Sequence, residues 1–390
     1  MPGSIHEIRK MNHKSFLIRC EFAAGRFSLT IAILLLLGFF RAALSQSDWK
    51  KEWERTLLLA HEEGALTIYG QARHPTSAAI NAFSQAYPRI KLNFVGGTGS
   101  QQAAKIMAEK RADKHLVDIA VGGPGTMVDV YYRAGLLEPT SAAFILPEVK
   151  DPSLWWERQH HYADPEKRYV FAMTGEVSAN IGAYNIQAIK PAEIQSWWDL
   201  LNSKWKGKIV ATDPKSAGNI QNWRYLFYSP ELGPEYIRRL LRETDIKFSA
   251  DERQMMDWLG SGRYLIHLFA KSANIDKAKT QGLPVEELIS QKEAGSIGTG
   301  SGHISFFKNA PHTFAAKAYI NWILSRDGQL TWEKITHDNS LRIDISKETV
   351  PKETVPVEGK KYMFMSSPEF GDIAPLRKLV EEVLPEGKRK

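Results

Sequence analysis

IKLNFVGGTGSQQAAKIMAEKRADKHLVDIAVGGPG, residues Ile90 to Gly125, decides how this chain folds. It opens on an apolar run, Ile90–Val95, with the composition of a short strand. Gly96-Gly97-Thr98-Gly99-Ser100 follows, and then a stretch of helix formers from Gln101 to about Ala112. Val117–Val121 reads as the next strand, Gly122–Gly125 as the next glycine-rich loop, and Thr126–Ala134 as the next helix. Upstream the same phrase occurs once more. Ala65–Tyr69 (ALTIY) is a strand, Gly70–Pro75 a loop and Thr76–Tyr87 a helix ended by Pro88. Strand, loop and helix thus recur three times, which predicts an α/β fold with a parallel sheet. Ligands of such sheets bind beyond the carboxyl ends of the strands, so the three loops are expected at one mouth.

Further upstream, Asp48–Glu63 has helical spacing, with Trp49, Trp53, Leu57 and Leu58 recurring. Before it, Arg9, Lys10, Lys14, Arg19 and Arg26 precede the uncharged run FSLTIAILLLLGFF, Phe27–Phe40, and then Ala43-Leu44-Ser45. This is the pattern of a cleaved signal peptide over residues 1–45, with Met1 or Met11 as the start, and it predicts export to the periplasm. The run is shorter than the ~20 residues that span a bilayer. The leader carries six Lys/Arg and two acids, so removing its +4 from the chain's +7 leaves +3. The basic balance is therefore mostly the leader's, and nucleic acid is not expected as a partner. The single cysteine, Cys20, also lies in the leader. The rest of the chain has no thiol for a disulfide, a metal or a nucleophile.

Downstream, VSANIGAYN (Val177–Asn185) alternates as a strand. Lys208–Ala211 and Tyr264–Phe269 are further strands. Helices are expected over Ile220–Phe227, Pro234–Glu243, Asp251–Leu259 and Ala315–Leu324. The tail from Ser346 repeats KETVP (Lys347–Pro351, Lys352–Pro356) and reads as a loop-rich extension with one helix near Pro375–Leu384. The adjacent His160 and His161 are expected at the surface.

The order of motifs resembles the type 2 periplasmic binding proteins, in the branch of ferric-iron, thiamine, polyamine and phosphonate binders. The stretches that carry the resemblance are LTIYGQA (Leu66–Ala72), FSQAYPRIKLNFVGGTGS (Phe83–Ser100), DIAVGGPG (Asp118–Gly125), AGLLEP (Ala134–Pro139), GAYN (Gly182–Asn185), WWDLLNSKWKGKIVATDPKSAG (Trp197–Gly218), APH (Ala310–His312) and AAKAYINWILSRDGQ (Ala315–Gln329). The resemblance implies two α/β lobes joined by two crossing strands around a central ligand cleft. Lobe 1 would comprise 64–178 with 291–345, lobe 2 179–290, and the extension 346–390. Tyr184 and Asn185 would lie near the first crossing, and the second would fall between about Leu283 and Ile297. It also implies a monomeric substrate-binding component of an ABC importer. Such a component takes a small molecule and partners a permease and its ATPase.

Candidate ligand contacts follow from the loops. Thr98, Gly99 and Ser100 open a helix after a strand, where free N–H groups favour an anion; Thr98 or Ser100 equally suits a helix cap. Gly123 and Pro124 let a ligand approach backbone, or simply make a turn. Arg73 suits a carboxylate or phosphate, or is a solvated charge. Asp213, Ser216 and Gly218 form the corresponding loop of the second lobe, and Tyr184 stands near the crossing. Trp223, Tyr225 and Tyr228 are either core or a stacking surface. Ferric-iron members hold metal with a tyrosine pair after the strand matching Tyr264–Phe269. Here the residues are Phe269-Ala270-Lys271-Ser272-Ala273. A small organic anion is therefore expected, with iron or an iron complex as the alternative and no resident cofactor. Catalysis is not expected: there is no G-x-S-x-G, no P-loop, and His61-Glu62 lacks the second histidine of a zinc motif, having Ala65 instead. A secreted enzyme or sensor on the same fold is the alternative from another class.

Overall fold

The computed structural model describes residues 48–72, 75–216 and 219–384. The expected leader with Cys20, the candidates Arg73 and Gly218, and the chain end lie outside the described residues.

The repeated phrase builds the first sheet. β1 (Ala65–Gly70) pairs in parallel with β2 (Lys91–Gly96) and β3 (Ile119–Gly122). β4 is Leu137–Glu138 and β5 is Val170–Ala172. β13 (His303–Phe307) returns antiparallel beside β3, β4 and β5, giving the order β2-β1-β3-β13-β4 with β5 also on β13. Leu66, Ile68, Ile119 and Val121 face a core shared with Tyr319 and Ile320 of the helix Thr313–Leu324. Tyr69 and Ala120 face the other side, against Met127 and Tyr131.

The third helix departs from its expected start at Thr126. It begins at Pro124, whose missing N–H costs nothing in a first turn, and winds as a π-helix over Met127–Tyr132. The expected helix Thr76–Tyr87 is broken at Ala82 into Thr76–Asn81 and Phe83–Ala86. His160 and His161, expected at the surface, are instead packed inside. His161 meets the Trp156 carbonyl at 2.9 Å, and burial pushes the His160 imidazole down to about 4.

The second sheet has the order β11-β7-β10-β8-β9, from β7 (Asn180–Asn185), β8 (Ile209–Thr212), β9 (Lys247–Ser249), β10 (Ile266–Leu268) and β11 (Val285–Ile289). Its core holds Trp197, Trp223, Tyr236 and Ile266, separate from the first. Gly182 lies so close to β10 that a Cβ there would run into the His267 carbonyl oxygen.

Between the sheets lies a small ribbon. The stretch Val177–Asn185, which reads as one strand, is two: β6 (Glu176–Ser178) and β7, divided at Ala179. The crossing is therefore at Ala179. Tyr184 and Asn185, expected beside it, sit at the far end of β7, paired with Ile266 and Val285. Alternation cannot reveal a strand that changes sheets without changing its period. β6 pairs antiparallel with β12 (Ser296–Gly298), the return crossing. β14 (Met363–Phe364) then adds to β12 in parallel. The extension thus leaves the first lobe after the buried Arg342, which donates to Asp344 and to the Leu324 carbonyl. It passes along the ribbon and ends in the helix Ala374–Val383, whose Leu376, Leu379 and Val380 complete the second core. Burying each of these side chains contributes about 1.5–3 kcal/mol. The chain makes three passages between lobes, one more than the sequence indicates.

Candidate functional site

Two cavities flank the ribbon. The first, of about 370 Å³, lies at the carboxyl ends of β1 and β3 and is lined by Gln71, Gly99, Ser100, Gly123, Thr126 and Tyr131, among others. The helix Gly99–Arg111 begins there. Thr98 caps it: its hydroxyl accepts from the Gln101 N–H at 3.3 Å, and its own N–H donates to Gln101 Oε1 at 2.9 Å. That leaves the Gly99 and Ser100 N–H groups, at the positive end of the helix dipole, without intrahelical partners. Gly99 packs against the Thr126 hydroxyl so closely that a Cβ would overlap it. At the inner end the Tyr131 hydroxyl is buried and has no partner among the described residues. Burial, and then the Glu109 carboxylate, raise its pKa, so it stays a neutral donor. Among the described residues, no charged side chain lines this wall.

The second cavity, of about 490 Å³, belongs to the other lobe and the ribbon. The helix Ile220–Tyr228 contributes Gln221, Asn222, Arg224 and Tyr225. Opposite stand Ala270, Lys271 and Ser272, where β10 turns into the helix Ser272–Thr280. That turn holds Phe269 at φ +60°, unusual for a bulky residue. Phe269 is kept there by Trp197 and Trp223, whose ring centroids lie 5.7 and 5.1 Å away. Ser296 of β12 and Met365, just past β14, close the remaining side. The Tyr225 hydroxyl accepts from the Gly295 N–H at 3.2 Å and so ties its helix to the ribbon. Burial pushes that hydroxyl up to about 12.

The turn from β12 to β13 joins the walls. A Cβ on Gly123 would come within 3.6 Å of the Gly300 carbonyl oxygen. The Thr299 carbonyl accepts from Thr174 at 3.1 Å, and its hydroxyl bonds Ser366, next to Met365.

Of the sequence candidates, the structure brings Gly99, Ser100 and Gly123 together on one wall. Thr98 caps their helix, and Pro124 starts the adjoining one. Asp213 organises a turn, accepting from the Lys215 N–H at 2.9 Å and, through its carbonyl, from the Ser216 N–H at 3.1 Å; Ser216 is exposed. This turn leads into the Ile220 helix but lies outside both cavity linings. Tyr184 is buried in the second core. Arg224 and Lys271 were not singled out as contacts. Spacing offered a signal for the first, since Gln221, Arg224 and Tyr225 share a helix face. For Lys271 the signal was a cation where other members carry metal ligands.

Among the described residues, no group of three or more His, Cys, Asp or Glu is placed to hold a metal. Neither lining contains a carboxylate or a histidine among the described residues. What the walls offer is donors: backbone N–H groups and hydroxyls on one, two cations and amides on the other.

Two α/β lobes, each presenting loop and helix starts to a shared ribbon, define a binding protein that closes on a small solute. The chain belongs to the bacterial extracellular solute-binding protein family, whose model matches residues 66–335. It is the substrate-binding component of an ABC importer and works outside the cytoplasm. An uncharacterized protein of Haemophilus influenzae is 24% identical over 290 residues, covering 70% of this chain and 77% of that protein. Among solved structures, Mannheimia haemolytica ferric iron-binding protein A, in an open conformation, aligns with a TM-score of 0.59 at 14% identity, covering 82% of this chain and 98% of that one. The Trichodesmium protein IdiA (FutA), in complex with iron and citrate, gives 0.58 at 19% identity, over 82% and 99%. AfuA of Actinobacillus pleuropneumoniae, bound to fructose-6-phosphate, gives 0.52 at 20% identity, over 82% and 97%. At such identities the structural likeness shows the two-lobed fold.

Proposed function

We propose that this importer component captures a small organic anion, with no catalytic step, in the cleft between lobe 1 (64–178 with 291–345) and lobe 2 (179–290). The observation that carries this reading is the chemistry of the two linings: among the described residues both are rich in donors and neither holds a carboxylate. Gly99, Ser100 and Gly123 would receive one end of the ligand through backbone N–H groups, and Arg73, a cation two residues after Gln71 in sequence, is the charged candidate to join them. The second wall would receive the other end, and hinge motion about the ribbon would close the site. The relatives whose structures hold citrate and fructose-6-phosphate are compatible company for an anion. The charged leader and short apolar run support delivery to the periplasm by a cleaved signal.

A thermal-shift screen of the purified chain against carboxylates, phosphate esters, phosphonates and ferric citrate tests this, because ligand binding raises stability by mass action. An organic anion should raise the melting temperature and reduce the radius of gyration in solution scattering. A chain that arrives coloured and iron-loaded, with no organic anion shifting it, overturns the reading.

A further inference from the structure

We propose that Arg224 and Lys271 form a two-cation subsite that selects a doubly charged oxyanion head, and that the C-terminal extension is part of this subsite because the Met365 carbonyl holds Arg224 in place. This rests on the anion reading above and narrows it to a charge class.

The Arg224 side chain is half-buried in the second wall. One terminal nitrogen, Nη2, donates to the Met365 carbonyl at 2.7 Å. Its Nε is buried and has no partner among the described residues. Burial lowers its pKa from the ordinary value, and the largest opposing influence is the Tyr228 hydroxyl, not a carboxylate. Guanidinium remains charged in proteins, so this is a cation partly removed from water with one neutral acceptor in return. Such a group is costly unless an anion completes it. Lys271 lines the same cavity at the start of the Ser272 helix. Cations do not belong at the positive end of a helix, where they oppose the dipole. Its placement there concentrates positive charge instead of balancing it. The strained Phe269 sets the direction of this turn.

The carboxylate nearest in bonding to this wall is already engaged. Glu287 Oε1 accepts from Asn180 Nδ2 at 2.5 Å and from Ser272 Oγ at 2.9 Å, and Glu287 is not in the lining. The half-buried Arg224, the exposed Lys271 on the same lining and the free N–H groups of a helix start match two negative charges better than one.

The extension's contribution is geometric. Met365 accepts from Arg224 through its carbonyl while its own N–H donates to the Ile297 carbonyl of β12 at 2.9 Å. Four residues further along the Arg224 helix, Tyr228 donates to the Asp372 carbonyl and packs on Phe370, 5.5 Å between ring centroids. The segment therefore grips the helix at its middle and its C-terminal end, one turn apart on one face, and fixes the guanidinium relative to the ribbon.

The test is titration calorimetry of the full chain at pH 8 with phenyl phosphate, a dianion, and phenyl sulfate, its monoanionic isostere, plus malonate and acetate. Wild type should prefer each dianion to its monoanionic counterpart. The phosphate and malonate arms distinguish phosphoryl from dicarboxylate ligands. Arg224→Gln should weaken dianion binding about 10- to 150-fold and erase the preference. Arg224→Lys should recover part of the loss, and Lys271→Gln should lose less than Arg224→Gln. Met365→Pro removes the N–H given to Ile297 while leaving Arg224 in the chain; it should weaken phenyl phosphate binding with an unchanged circular dichroism spectrum. Equal affinity for dianion and monoanion, or an Arg224→Gln variant that binds like wild type, overturns the subsite while the anion reading stands. Wild-type affinity in Met365→Pro removes the extension from it. A chain that binds none of these anions yet loads iron defeats both readings.

Discussion

The two walls beside the ribbon present hydrogen-bond donors by different means. The described part of the first is built from backbone: glycine loops, a capped helix start and hydroxyls. The second is built from side chains that arrive from three elements distant in sequence, the Ile220 helix, the turn after β10 and the extension after β14. A backbone wall is indifferent to much of its sequence and suits any anionic oxygen. A side-chain wall can change its ligand by changing a residue. The contrast teaches where specificity should be sought in this protein: in the second lobe.

Acid should cost both lobes stability, and the first slightly more. His303 in the first and His267 in the second are buried, and burial holds their imidazoles down to about 3 and about 4. The folded pKa values lie below the ordinary 6.5, so the unfolded chain binds more protons between pH 6.5 and 4. This stability is complete above pH 6.5 and is lost as pH falls, by an amount on the order of 3 kcal/mol for each histidine at pH 4. His303 has no partner on either nitrogen among the described residues, and His267 Nε2 lies 3.8 Å from Glu252. Chemical denaturation at pH 7.5, 4.5 and 3.5 should show nearly equal acid losses relieved by His303→Leu and His267→Leu at pH 4.5, and the larger relief by His303→Leu at pH 3.5, below the folded value of His267. A larger relief by His267→Leu at pH 3.5 breaks the comparison.

Leu376→Ala should cost about 2–5 kcal/mol by opening a cavity in the second core, and leave the first lobe's unfolding unaltered. Tryptophan fluorescence against urea reads this. Gly99→Ala tests the opposite wall. The new methyl overlaps the Thr126 hydroxyl, so overpacking should cost about 1–3 kcal/mol and weaken anion binding, with Thr126→Ala in the same chain restoring part of both. The smallest effect is Thr98→Ala, about 1 kcal/mol of stability from the lost cap, read as a lower melting temperature.

The sequence showed the first wall far better than the second, for a physical reason. Ala65–Gly125 contains its strands, loops and helix starts in one continuous phrase, so Gly99, Ser100 and Gly123 could be picked by pattern. Arg224, Lys271 and Met365 belong to one site only because a sheet and a ribbon bring them together, and no local period records that. Trp223 and Tyr225 attracted notice as aromatics while the arginine between them did not. The second crossing, between about Leu283 and Ile297, contains the β11-to-β12 return; the first was placed some six residues late, because Val177–Asn185 keeps a strand's alternation through Ala179. The third passage left no signal beyond two residues, Met363 and Phe364, too few for any period.

That passage also has a consequence in time. Leu376, Leu379 and Val380 finish a core whose other members, Ile181 to Leu288, are made roughly 90 to 200 residues earlier. Until the helix Ala374–Val383 has been made, Ile220 and Leu240 of that core lack part of their cover. The lobe that carries the side-chain wall therefore matures after the first, whose core is finished by Phe364.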